Sequence, residues 1–426
     1  MKNYTTLAGA AKARLKKYVE NICRGVGRPE TRLVADILFG VSRSNDCKLT
    51  QIARALEETI SVKKTVERLR RGLRDFENTQ TLQDNYLDLA NKHIDNTTIF
   101  AIDGSDIAKP CSTAMEALHT VRDGSTGKYV PGYMTMECVA MTRAHKIPIP
   151  VYERVFSAAE PGFVSEDNEV LTLLRFISNR FGHGGVRVID RGFDANVYLK
   201  YFVENKEHFV LRVKNNRMVH YKGSSINIGE LAGRFKGKIA MTCTLQGKSI
   251  RLKMTAVPIT LPAFGQTPFN LVVIHGFGEK PMLLLTNCDN PDTRLAGAIA
   301  RVYLLRWRIE DTFRFQKQQY NFEDFRVRSL NAIRTLHTLV SLLTGFLALL
   351  SHNMDDAFQL ELCRAAKHIP KKKQSFFHYL LADGFRRALL YITCGIRHLF
   401  PPLRLRPHSV QLSFFELYPL FRPVGV

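Results

Sequence analysis

The sequence predicts an α/β protein: a mixed sheet with a β-rich insertion, flanked by helical regions on both sides. Three observations carry this. Between about 97 and 216, apolar runs of strand length alternate with segments of helical periodicity. Between 217 and about 288, strand-like runs are broken by Gly and Pro, with no clear helix. Before and after these, apolar residues recur at helical spacing.

The first region, 1 to about 95, reads helical and basic. In "KLTQIARALEETISVKKTVERLRRGL", Leu49, Ile52 and Leu56 form one apolar stripe and Val62, Val66 and Leu69 another. Ser61 stands where it could cap the second helix. That helix carries Lys63, Lys64, Arg68, Arg70 and Arg71, so the pair fits a helix-turn-helix that contacts DNA. The alternative is two amphipathic helices with a solvated basic face.

Next, "TTIFAIDGSDIAKP" reads as a strand ending in a turn-forming cluster, and "YMTMECVAMT" and "IPIPVYERVFSA" as two more strands. "SEDNEVLTLLRFISNRFG" is a helix with Ser165 as cap; "VRVIDRGF" is a buried strand, "DANVYLKYFVEN" a helix and "HFVLRVKNN" a strand. Three strands, a helix, then strand, helix and strand is the order of an RNase H-like mixed sheet. The insertion follows, and from "PDTRLAGAIARVYLLRWRIEDTFRFQKQQY" helices dominate. The expected units are 1–95, a helical DNA-binding domain; 96–216, the first part of the core; 217–288, the insertion; 289–335, the core's last helix; and 336–426, a helical C-terminal region.

With 426 residues the chain is long enough for several sizeable cores. Lys and Arg number 61 against 39 Asp and Glu, a net charge of +22 spread along the chain, which favours a polyanionic partner on a broad folded surface. The eight cysteines are far apart with no CxxC pair, which argues against a zinc ribbon and for reduced thiols. "TLHTLVSLLTGFLALLS" has helical spacing and carries His337, and is expected to be a buried core helix and not a membrane span.

Two aspartates fall where buried strands end. Asp103 closes "IFAID" and Asp190 closes "VRVID". Side chains at such positions on neighbouring strands can converge in one crevice, although an Asp there is most often a turn or cap residue. Asp106 and Asp123 compete with Asp103, and Asp194 with Asp190; Asp106 reads as a turn residue and Asp194 as a helix N-cap.

The third carboxylate comes from "YLLRWRIEDTFRFQK". At about 100° per residue, Tyr303, Arg306, Glu310 and Lys317 lie within roughly 60° on one helix face, with Trp307 and Arg314 beside them. Val302, Leu305, Ile309 and Phe313 form a separate core stripe, and Asp311 points elsewhere. Three carboxylates suit two divalent metals for phosphodiester cleavage. Mg²⁺ fits an all-oxygen site. Neighbouring Arg and Lys would neutralise phosphates, and Trp or Tyr could stack on an unpaired base. The competing reading is a core-packed helix with an incidental basic face.

The spacing Tyr303-(2)-Arg306-(3)-Glu310-(6)-Lys317, preceded in order by "IDGSD" and "VIDRGFD", resembles the signature of DDE insertion-sequence transposases of the Tyr-Arg-Glu-Lys (YREK) type, over about 95–335. The resemblance implies that Asp103, Asp190 and Glu310 form the catalytic, metal-binding triad. Tyr303, Arg306 and Lys317 would contact phosphates near the cut end, and Trp307 would lie beside a displaced base. It implies Mg²⁺, with Mn²⁺ able to substitute. It implies double-stranded DNA at terminal inverted repeats and target DNA as partners, cut-and-paste excision and strand transfer, and a DNA hairpin as one route. It further implies a homodimer in the synaptic complex and a bacterial cytoplasmic setting, nucleoid-associated when bound to DNA. Two other readings stay open: a catalytically silent, transposase-derived DNA-binding regulator, and a general RNase H-like nuclease.

Overall fold

The computed structural model describes residues 4–142, 147–245, 248–288, 294–353, 356–367 and 378–399. The expected C-terminal region beyond 399, and the side chain of Cys394, lie outside the described residues.

Five helices come first: α1 (Tyr4–Ile22), α2 (Arg28–Ser44), α3 (Leu49–Leu56), α4 (Val62–Arg74) and α5 (Thr79–Ala90). Ser61 caps α4 as its sequence suggests, accepting from the Lys64 amide at 3.4 Å. Arg68 does not face outward. It pairs with Asp36 and Glu58, each at 2.9 Å, and so ties α4 to α2 and to the turn after α3.

The core follows as β1 (Ile99–Ala108), β2 (His119–Arg122), β3 (Tyr129–Met141), β4 (Ile149–Phe156), α6 (Glu166–Phe181), β5 (Val186–Ile189), α7 (Asn196–Glu204) and β6 (His208–Arg212). Strands β4, β3, β1, β5 and β6 are neighbours in that order. Strand β3 is antiparallel to both β4 and β1, while β1, β5 and β6 are parallel. This is the RNase H-like arrangement the element order predicts. Ser165 caps α6, accepting from the Asn168 amide at 3.1 Å.

The insertion contributes β7 (Met218–Tyr221), β8 (Ser224–Asn227), α8 (Ile228–Gly233), β9 (Ile239–Leu245), β10 (Lys248–Thr260), β11 (Pro268–His275) and β12 (Met282–Thr286). The short helix α8 was not legible among the Gly and Pro breaks. Because β12 pairs with β6, these strands prolong the core sheet to twelve strands.

Helices then return: α9 (Arg294–Leu305), α10 (Trp307–Gln319), α11 (Leu330–Asn353), α12 (Asp356–Ala365) and α13 (His378–Leu399). One apolar cluster covers the sheet face that carries Phe100 and Ile102, with α6, α7 and α11; the other covers the face that carries Ile99 and Ala101, with α9 and with Ile309 and Phe313 of α10. The apolar helix α11 is buried over 94% of its most apolar stretch, as expected of a core helix.

Three sequence expectations need correction. Asp106 lies inside β1, opposite Met134, not in a turn, because β1 runs on past the Gly-Ser pair along its long partner β3. Asp194 does not cap α7; its carboxylate accepts from the Lys214 amide at 2.7 Å and from Arg217, and Ala195 holds the cap position. The stretch Tyr303–Lys317 is not one helix. It breaks at Arg306, where the Arg306 amide donates to the Tyr303 carbonyl and the Ile309 amide to the Arg306 carbonyl, both at 3.0 Å and both three-residue bonds.

His337 on α11 is fully buried between two carboxylates, 3.1 Å from both Glu137 and Glu153. Burial alone would lower its pKa, but the two carboxylates outweigh this and push it up to about 10. The raised pKa is a stabilising contribution complete below about 6.5 and lost as pH rises towards 10, at up to about 1.4 kcal/mol per pH unit. Thermal melts are expected to fall across pH 7 to 10, and His337→Gln to flatten that slope.

Candidate active site

The site begins with register. Strands β1 and β5 pair in parallel through Ile102 and Ile189, so the next residues, Asp103 and Asp190, emerge at the same level at the end of β5. Asp190 is the first residue beyond β5, leading into a 3₁₀ turn at Arg191–Phe193.

Helix α10 lies along β1 and α9 across the same face, so the break between them places Arg306 against the aspartates. Its guanidinium is only 2% exposed. One nitrogen bonds Asp103 at 2.6 Å and another bonds Glu310 at 2.7 Å. The buried Tyr303 hydroxyl donates to Asp190 at 2.6 Å. Thus Asp103, Asp190 and Glu310 are gathered around Tyr303 and Arg306, and Glu310 keeps a half-exposed carboxylate.

The electrostatics separate the two aspartates. Burial pushes Asp103 up to about 6; the neighbouring Asp190 and Glu310 add to this, and Arg306 opposes it. Burial would also raise Asp190, but Arg306, the Tyr303 hydroxyl and Arg212 outweigh it and hold Asp190 below the usual carboxylate range. Arg306 itself stays firmly protonated despite burial, because Asp103, Asp190 and Glu310 surround it.

The remaining expected residues separate. Lys317 sits farther along β1, 3.6 Å from Asp106 and 3.0 Å from Glu323. Arg314 is exposed and pairs with Asp311 at 3.2 Å, and Arg308 takes the other Asp311 oxygen at 2.8 Å. Trp307 is half-buried edge-on against Phe277. On α4, Lys63, Lys64, Arg70 and Arg71 are exposed. Asp123 forms a separate turn with Ser125 and Thr126.

Sequence reasoning missed Arg212. It ends β6, the next parallel strand, and its guanidinium lies 3.7 Å from Asp190. The available signal was an Arg closing "HFVLR", the strand beside the second aspartate.

The donor set is all carboxylate oxygen, which suits a hard divalent cation. Among the described residues, no group of three His, Cys, Asp or Glu side chains is spaced to hold one ion as it stands. The Arg306 guanidinium lies between two of these carboxylates, bonded to Asp103 on one side and to Glu310 on the other.

Fold and cluster together define an RNase H-like protein with two aspartates and a glutamate gathered round one arginine. The chain belongs to the Transposase DDE domain family, whose model matches residues 95–344, more than half its length. It is therefore a DNA transposase of that family. Among solved structures it resembles one titled "Cryo-EM structure of piggyBac transposase synaptic complex with hairpin DNA (SNHP)", with a TM-score of 0.49 and 11% identity, over 90% of this chain and 77% of that one. Comparison with curated proteins gives no match.

Proposed function

We propose that the protein cuts DNA at terminal inverted repeats and joins the 3′ ends to target DNA, with Asp103, Asp190 and Glu310 as its catalytic residues. The observation that carries this reading is the convergence of the three carboxylates on Arg306 within a chain of this family. The YREK spacing supports the cut-and-paste assignment.

Asp103, Asp190 and Glu310 would hold divalent cations, Mg²⁺ or Mn²⁺, which when bound would supply activation of the attacking oxygen and charge stabilisation of the leaving one. Until then, Arg306 balances the acids, and Tyr303 and Arg212 orient Asp190. Once released from Asp103 and Glu310, the Arg306 guanidinium is free to hold a phosphate oxygen. Arg314 and Lys317 line the approach to the site. Trp307 supplies an aromatic face for a displaced base. The exposed Lys63, Lys64, Arg70 and Arg71 of residues 1–95 grip the DNA farther out, and two chains pair to hold two ends.

The test is a labelled inverted-repeat end incubated with Mg²⁺. End-specific nicking supports the transposase. Nicking of any DNA points instead to a general nuclease, and binding without nicking to a silent regulator. Because Asp103 titrates near 6, the nicking rate is expected to climb up to about tenfold per pH unit below that value and to level off above it. The midpoint should shift to lower pH as Mg²⁺ is raised, since cation and proton compete for one carboxylate. A pH profile at two Mg²⁺ concentrations measures both.

A further inference from the structure

The hairpin made by β2 and the first half of β3 reaches Asp106 on β1, three residues beyond Asp103. Its last pair is Arg122 with Tyr129. At its tip, the Asp123 carboxylate accepts from the amides and hydroxyls of Ser125 and Thr126, and the Gly127 amide donates to the Asp123 carbonyl. These bonds hold the turn in one shape and occupy its only acid. The tip is also tied down: the Gly124 amide donates to Asp106 at 3.2 Å, and the other oxygen of Asp106 lies 3.6 Å from Lys317. Asp106 is three residues beyond Asp103 on β1, about 10 Å along the strand. The hairpin itself is seated by Gly132, where a Cβ would meet the Ile107 carbonyl oxygen at 2.4 Å and Val121 at 2.6 Å.

What the tip offers outward is chemically uniform. Arg122 and Lys128 are exposed and their side chains have no acidic partner among the described residues. Tyr129 is 74% exposed, as exposed as any large apolar side chain among the described residues. A rigid turn with two unpaired cations and one exposed aromatic ring fits a nucleic-acid strand: phosphates on the cations, a base face on the ring.

We infer that this hairpin is a DNA clamp beside the cutting site, with Tyr129 stacking on an unpaired base and Arg122 and Lys128 holding the backbone of the strand that enters the carboxylate cluster. This rests on the reading of that cluster as the active site.

The test uses the full chain, Ca²⁺ to prevent cutting, and a labelled duplex with a single-stranded overhang carrying 2-aminopurine. Wild type and Tyr129→Phe are expected to quench the 2-aminopurine on binding, and Tyr129→Ala to lose that quenching. In the double variant Arg122→Ala/Lys128→Ala, the slope of log affinity against log salt should fall by about 2. Unchanged quenching and slope would overturn the clamp. Nicking with Mg²⁺, measured in parallel for Glu310→Ala, separates the two claims. If Glu310→Ala is silent while the hairpin variants behave as wild type, only the clamp is wrong; if Glu310→Ala still cuts, the site itself is misassigned.

Discussion

Asp103→Ala, Asp190→Ala and Glu310→Ala are each expected to lose end-specific nicking by at least about a thousandfold, because each removes an oxygen ligand and with it several kcal/mol of charge stabilisation, where about 1.4 kcal/mol is tenfold. DNA binding should survive, since Lys63, Lys64, Arg70 and Arg71 lie on α4, a different element from those that carry the carboxylates. The three variants need not unfold alike. Glu310 is half-exposed, but its loss leaves one nitrogen of the buried Arg306 guanidinium without its acceptor, at about 1 kcal/mol. Asp190 holds the Tyr303 hydroxyl, and its loss leaves a buried donor unpaired, at about 1–3 kcal/mol. Melts of each variant beside its nicking rate distinguish lost chemistry from lost fold. A Glu310→Ala protein that cuts normally would end this assignment.

The second large effect concerns Arg306. Arg306→Gln removes a buried guanidinium from among three acids. Breaking a fully buried ion pair costs about 3–5 kcal/mol, but Glu310 is half-exposed and can turn to water, so about 2 kcal/mol is the expected loss. On the proposed reading, Arg306 and a divalent cation would compete for the same oxygens. Adding Mn²⁺ should therefore raise the melting temperature more in Arg306→Gln than in wild type, recovering much of the lost stability. Nicking should still be weak, because the arginine is no longer there to take a phosphate. Equal Mn²⁺ shifts in the two proteins would show that Arg306 does not guard the cation's place.

How much of this could be read from residues alone follows from what each signal depends on. Asp103 and Asp190 were legible because apolar runs end at them, and parallel pairing of β1 with β5 sets them side by side. Glu310 was legible from helical spacing, although the helix in question breaks at Arg306 and the angular reading joins residues from two helices. Tyr303, Arg306 and Glu310 still meet the aspartates, because the break preserves their side of the chain. Lys317 drifts away: a full turn and more beyond Glu310, it faces Asp106 and Glu323 instead. Arg68 read as a DNA contact since charge shows in sequence, whereas its partners Asp36 and Glu58 arrive only through packing. The β2–β3 hairpin was not legible for the same reason, and Arg212 showed only as an Arg that closes a strand-like run. Their importance lies in which strand neighbours which, and β2 is only four residues long.

The central claim is that three separated carboxylates form one cation site. Fe²⁺ with ascorbate and peroxide, which cuts a polypeptide beside a bound metal, tests it most directly. The prediction is backbone cleavage near 103, 190 and 310, suppressed by excess Mg²⁺ and lost in Glu310→Ala. Cleavage confined to other parts of the chain, or unchanged in Glu310→Ala, would contradict it.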